Sequence, residues 1–204
     1  MPAPAAQTGQ LSAYRKPAAP QDLLGAAQSA YSDDFSGAAL NPRWSWVRPP
    51  AARVTGLDGG TFRFPTQNAD LYVDSNTASV LTENAPASDY AVNIKLNLDL
   101  SDSGCCYNYV QGGLLIYGGD DNFIKLGVVS IFDTRQIEFA KELKPVPDQF
   151  SRYGNTVLTA PGQDTWLRIV RRGAASTTNG TMANGETYTA YSSRDGVTWT
   201  RGGT

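Results

Sequence analysis

The side chains able to do chemistry in this 204-residue sequence are carboxylates, tyrosines, lysines and arginines, because it contains no histidine. That absence excludes Ser/His/Asp and Cys/His nucleophile pairs and histidine-ligated zinc, and leaves no side chain whose unperturbed pKa sits near neutrality. One reaction that carboxylates alone can carry is glycoside hydrolysis, which needs two carboxyls about 5 to 9.5 Å apart, one with a raised pKa. On a strand this is met by acids at i and i+2 or i+4, on one face. Glu138 and Glu142 come nearest, with Ala140 where an intervening acid is wanted; an ordinary exposed strand accounts for them better. Asp33-Asp34 and Asp120-Asp121 are adjacent pairs, so in extended backbone each sends one carboxylate to either face, and turn formation accounts for both. Asp33, Asp34, Asp120 and Asp121 are also the candidate ligands for a structural calcium ion, although no calcium-loop spacing is present.

Sugar recognition asks for aromatic faces that stack on C–H surfaces, beside planar polar groups that make paired hydrogen bonds. Tyr107, Asn108, Tyr109 and Gln111 place two phenols and two amides on an irregular loop before a core strand, and Trp46, Arg135 and Gln136 are further candidates. Each has a structural reading beside it: Trp44 and Trp46 suit a core, and Arg135 suits an acid partner. Cys105 and Cys106 are neighbours, which forbids the usual cross-strand disulfide and leaves two thiols, a strained vicinal ring, or partners for another chain.

The elements that must position these residues are strands. Twenty Gly and 12 Pro stand beside 10 Tyr, 7 Phe and 4 Trp, with 18% charged residues, a mixture that favours strands and turns. Val92, Ile94, Leu96, Leu98 and Leu100 alternate with Asn93, Lys95, Asn97 and Asp99, the period of a half-buried strand. Residues 54–57 and 61–64 flank Asp58-Gly59-Gly60, a hairpin of three-residue loop type, and 114–117 and 123–129 flank a second turn at 118–122. Further strands are predicted at 79–82, 136–143, 156–158, 166–171 and 186–191. With no amphipathic helix between them, the pattern predicts an all-β, two-sheet antiparallel sandwich.

Residues 1–30 are rich in Ala, Pro and Gln and read as a flexible linker, leaving 31–204 as the sandwich. The net charge of −2 offers no basic footprint for nucleic acid and no polybasic stretch for a membrane surface. No apolar run reaches the roughly 18 residues of a transmembrane helix, and the first residues lack a signal-peptide pattern.

Three ordered segments carry a family resemblance. They are Asp33-Asp34-Phe35-Ser36-Gly37 with Leu40-Asn41-Pro42-Arg43-Trp44-Ser45-Trp46; residues 109–126 from Tyr109-Val110-Gln111-Gly112-Gly113, continuing to Asp133-Thr134-Arg135-Gln136-Ile137-Glu138-Phe139; and Thr165-Trp166-Leu167-Arg168 with Tyr191-Ser192-Ser193-Arg194-Asp195-Gly196-Val197-Thr198-Trp199-Thr200. Together they resemble the concanavalin A-like modules at the C-terminal end of family 43 glycosidases, the arabinanases and β-xylosidases. The resemblance implies a jelly-roll sandwich, extracellular, working beside a hydrolase that acts on arabinan or xylan. Its partner is then the polysaccharide or an adjacent catalytic domain, with the module binding sugar or buttressing that domain. A catalytic jelly-roll glycosidase with a carboxylate pair is the alternative. The family pattern runs on into further closing strands, so the chain is expected to lack its last strand. Ser193 to Trp199 falls one residue short of a sialidase Asp-box and reads as a turn with Asp195-Gly196 at its tip and Trp199 beneath.

Overall fold

The computed structural model describes residues 22–51, 55–98, 108–132, 134–144, 152–173 and 185–204. Cys105, Cys106, Tyr107 and Asp133 lie outside them. Fourteen strands are formed among the described residues, beside one short 3-10 turn at Ser29–Tyr31. β1 (Ser45–Val47) pairs with β6 (Val80–Thr82), β2 (Gly56–Leu57) with β3 (Phe62–Arg63), and β4 (Leu71–Tyr72) with β5 (Ser75–Asn76). β7 (Tyr90–Asn97), β8 (Gln111–Gly119), β9 (Asn122–Ile131), β10 (Thr134–Leu143), β11 (Arg152–Val157), β12 (Asp164–Arg172), β13 (Thr187–Ser193) and β14 (Thr200–Arg201) build two four-stranded sheets. The first runs β11-β10-β9-β8 and the second β14-β13-β12-β7. Every pairing is antiparallel. This is the all-β sandwich expected from the alternating pattern.

Alternation decides which side chains meet between the sheets. Leu114, Ile124, Leu126, Val128 and Ile137 of the first sheet form one cluster with Leu167, Ile169 and Ala190 of the second, and Val92, Ile94, Leu96 and Leu98 pack against it. The strongest period-two segment is therefore an inner face, as predicted. Leu126, Leu167 and Ile169 are fully buried, each worth roughly 1.5–3 kcal/mol of apolar transfer.

The first hairpin departs from its expected loop. Asp58 and Thr61 exchange both backbone hydrogen bonds, at 2.9 and 3.1 Å, so the loop has two residues rather than three. Gly59 and Gly60 both take positive φ, 56° and 88°, the pair of left-handed conformations that a type I′ turn requires and that glycine adopts without strain. The Asp195-Gly196 turn has its expected tip, but the indole against Gly196 is that of Trp166, while Trp199 stacks on Arg168. The Asp195 carboxylate accepts from the backbone N–H groups of Val197 and Thr198 at 2.8 and 2.7 Å and from Ser193 Oγ at 2.9 Å. These bonds hold it far below the ordinary carboxylate range.

One contact ties the described start of the chain to the second sheet. Tyr191 on β13 is 1% exposed, and a buried phenol needs a partner. Its OH donates to Asp22 Oδ2 at 2.7 Å and accepts from the Asp22 backbone N–H at 2.9 Å. Arg172 reaches Asp22 Oδ1 at 3.2 Å and Asp89 at 3.4 Å. Among the described residues no helix is long and apolar enough to cross a membrane.

Removing the carboxylate in Asp22→Ala should cost about 1–3 kcal/mol, because it strips the buried phenol of its acceptor. Tyr191→Phe made in that background should cost almost nothing further. Urea midpoints of the two single variants and the double variant check this coupling.

Candidate functional site

The face of the first sheet that points away from the core carries the polar residues. Strand register arranges it in four rows: Gln111, Val129, Gln136; Gly113, Gly127, Glu138, Val157; Leu115, Lys125, Ala140, Asn155; and Tyr117, Phe123, Glu142, Tyr153. Glu138 and Glu142 therefore share a face, as their spacing requires. They are not exposed: Glu138 is 4% and Glu142 0% accessible.

Burial obliges both carboxyls to find partners. Glu138 accepts from Tyr153 OH at 2.6 Å and Asn155 Nδ2 at 2.9 Å, and lies 3.5 Å from Lys125 Nζ. Lys125 also donates to Gln111 Oε1 at 2.6 Å and sits over the Tyr153 ring, 5.1 Å being the matching distance of Lys95 over Trp166 on the other sheet and 5.4 Å its own. Burial lowers the Lys125 ammonium below its usual pKa, with Glu138 pulling the other way. Burial and the bond to Glu138 drive the Tyr153 phenol far upward. The Gly113–Gly127 row lets two strands approach closely. A Cβ on Gly113 would stand 2.2 Å from the Leu126 carbonyl oxygen.

Glu142 is closed over by the β4–β5 turn. Val73 N–H donates to its Oε2 at 2.8 Å, while Oε1 has no hydrogen-bond partner. Val73 adopts φ 53°, a left-handed conformation unfavourable for a β-branched residue. Tyr72 beside it packs edge-on to Tyr153 at 4.9 Å between ring centroids. Burial pushes the Glu142 carboxyl above its ordinary value of 4.5.

The open end of this face lies where β8 begins and where β9 turns into β10. Tyr109 is 59% and Phe132 74% exposed, and their rings meet edge-on at 6.4 Å. Both have positive φ, 65° and 46°. The Tyr109 N–H donates to the Ser130 carbonyl at 2.6 Å, and the Phe132 N–H to Asn108 Oδ1 at 2.8 Å. Gln111 Nε2 donates to the Tyr109 carbonyl at 3.3 Å. The structure thus brings Asn108, Tyr109, Gln111 and Gln136 to one end of one face. Phe132 is the residue the sequence reading missed; the available signal was an aromatic in the two-residue link between Ile131 and Thr134.

The other predicted residues lie elsewhere. Arg135 occupies the opposite face of β10 from Gln136, across from Ser130. Trp46 joins a cluster with Phe62 and Phe64, to which Phe35 and Trp44 also belong. It lines a shallow groove of about 290 Å³ with Ala38, Ala39, Leu40, Leu57 and Phe62. Trp46 thus combines its packing role with an accessible edge. Asp33 accepts from Trp44 Nε1 at 2.8 Å and from the Phe35 N–H at 2.9 Å. Asp34 holds Ser36, whose hydroxyl and N–H lower its pKa. Asp120 pairs with Arg48 at 2.8 Å and accepts from Tyr117 OH at 2.6 Å, and Asp121 lies 3.9 Å from Lys144. The candidate calcium ligands are therefore divided between separate turns and ion pairs. Among the described residues no three acidic, thiol or imidazole side chains converge as metal ligands.

The family model described as the beta xylosidase C-terminal concanavalin A-like domain matches residues 32–201. Among solved structures the chain is similar to "Bacteroides ovatus Xyloglucan PUL GH43B", with a TM-score of 0.59 and 20% identity over 84% of this chain. The likeness is one of fold, and the chain spans 30% of the length of that protein. No curated protein matches.

A carboxyl whose folded pKa is raised binds its proton more tightly in the native state, so its stabilising contribution is intact below the unfolded value and is lost as pH rises through the folded one. Stability should therefore fall as pH climbs above about 4.5, in the part due to Glu142. Glu142→Gln keeps an acceptor for Val73 and cannot ionise. Its urea midpoint should exceed wild type at neutral pH, and the difference should vanish near pH 4.

Proposed function

The chain belongs to the family of β-xylosidase C-terminal concanavalin A-like domains, and from that premise we propose that it is an accessory module that holds arabinan- or xylan-type polysaccharide beside a glycosidase catalytic domain. The observation that carries the reading is the exposed Tyr109–Phe132 pair. Two aromatic rings held at fixed backbone angles, with the amide of Gln136 in the adjoining row, supply what a sugar chain needs. The rings offer C–H stacking and the Gln136 amide paired hydrogen bonds, at little ordering cost. Trp46 and its groove offer a second aromatic edge. A polymer of this size does not cross a membrane, so the reading makes the protein extracellular.

Hydrolysis by the chain itself meets a physical obstacle. A catalytic pair must present both carboxyls to the glycosidic bond, and Glu138 and Glu142 are 4% and 0% exposed. Glu142 is sealed under Val73 and Glu138 is saturated by Tyr153, Asn155 and Lys125. Neither has an oxygen presented to a sugar.

Affinity electrophoresis through gels containing linear arabinan or arabinoxylan tests the proposal. Wild type should be retarded, and Tyr109→Ala and Phe132→Ala should each run freely, about 10-fold weaker or more. Unretarded wild type in both gels would leave the buttress role in place of binding.

A further inference from the structure

The outer face of the second sheet holds arginines that the fold does not neutralise. Arg43, Arg48, Arg63, Arg171 and Arg172 each meet a carboxylate. Arg194 bonds the Ala160 carbonyl. Arg168 and Arg201 have no carboxylate partner among the described residues. They lie in one cross-strand row, Asn93, Arg168, Tyr191, Arg201, spanning β7, β12, β13 and β14.

Arg168 is held in place without being neutralised. Its guanidinium stacks 3.6 Å from the centroid of Trp199, and Nε donates to Asn93 Oδ1 at 2.7 Å. This fixes the plane of the fork while its terminal N–H groups have no acceptor among the described residues. Burial lowers its pKa, the mark of a cation that has lost water without gaining a counter-charge. Arg201 has Nε buried and unbonded, its Nη2 donates to Thr204 Oγ1 at 3.2 Å, and its guanidinium interacts with the Tyr191 phenol, which carries no charge to offset it. The acids nearby are committed: Asp22 to Arg172 and Tyr191, Asp164 to Lys95 at 2.8 Å.

We infer that the Arg168–Arg201 row is a second binding site, one that takes the carboxylate of a uronic acid residue on a polysaccharide. A planar, desolvated guanidinium recognises a planar carboxylate through two parallel hydrogen bonds. Carboxylates are the usual anions of cell-wall polysaccharides, and that choice of ligand rests on the polysaccharide reading above. The site itself does not use Tyr109 or Phe132. The chain's net charge is −2, so attraction to a polyanion would reflect this local row and not bulk electrostatics.

The test is titration of the 204-residue chain with glucuronoxylan, with the same polymer after its carboxyls are reduced to alcohols, and with dextran sulfate. Carboxyl reduction should weaken binding by about 10- to 100-fold, the range of a lost charged hydrogen-bond pair. Arg168→Gln and Arg201→Gln should each weaken binding to the native polymer and leave the reduced polymer unaffected. Arg168→Lys, which keeps the charge but not the fork, should also fall short of wild type. Should Arg168→Gln fail to fold, Arg201→Gln at the edge strand decides. Equal affinity for native and reduced polymer, or wild-type affinity in both arginine variants, overturns the site. So does dextran sulfate binding as tightly as glucuronoxylan. Neutral linear arabinan is the separate arm: it should respond to Phe132→Ala and not to Arg168→Gln, so failure there reports on the aromatic pair alone.

Discussion

Lys125 and Glu138 meet on the two inner strands of the first sheet with side chains 15% and 6% exposed. Either charge left alone there would cost several kcal/mol. Much of the sheet is arranged to prevent it. Gln111 on β8 accepts from the ammonium, while Tyr153 and Asn155 on β11 donate to the carboxylate. The network thus draws one or more side chains from every strand of the sheet. A slip of one residue in any pairing would move a member into the apolar core, so the charges specify register as well as occupy it.

Satisfying this pair has a consequence for access. β9 is buried along most of its length, with Leu126 at 0% and Val128 at 4% toward the core and Phe123 at 2% and Val129 at 3% on the opposite face. The β4–β5 turn closes the Glu142 end by placing Val73 in an unfavourable backbone conformation. Burial under that turn, with one oxygen left unbonded, favours the neutral form of this carboxyl. What remains open is the far end, where Tyr109 and Phe132 stand out from the sheet. Strain appears at both ends of this face: at one it seals a carboxyl, and at the other it presents rings.

The sequence made the strands legible because burial on one face imposes a period of two, and β7 is the plainest case: Val92, Ile94 and Leu96 go inward while Asn93, Lys95 and Asn97 go outward. The same logic misread β10. Glu138 and Glu142 alternate with Ile137 and Phe139 as a solvent-facing row would, and nothing local records that Val73, 69 residues away, closes over Glu142. Short-range cues served the turns better, since Gly59-Gly60 and Asp195-Gly196 carry their own conformational requirement. Phe132 was missed for the converse reason: an aromatic residue at a left-handed turn position violates the local rule, and the bond that holds it comes from Asn108, 24 residues earlier. Asp22 was hidden in a segment that reads as linker, because its partner Tyr191 lies 169 residues away.

The outer faces of the two sheets follow different rules. On the first, the buried cation Lys125 has its anion and aromatic groups stand at the open end, so the described residues of that face offer an ion no uncompensated charge. On the second, Lys95 and Arg172 are neutralised, but Arg168 relies on an indole face and a side-chain amide, neither of which carries charge. Stacking offsets part of the desolvation of that guanidinium and none of its net charge. The described residues therefore leave a rigid cation without a carboxylate, and an arriving one would find the ordering of the fork already done.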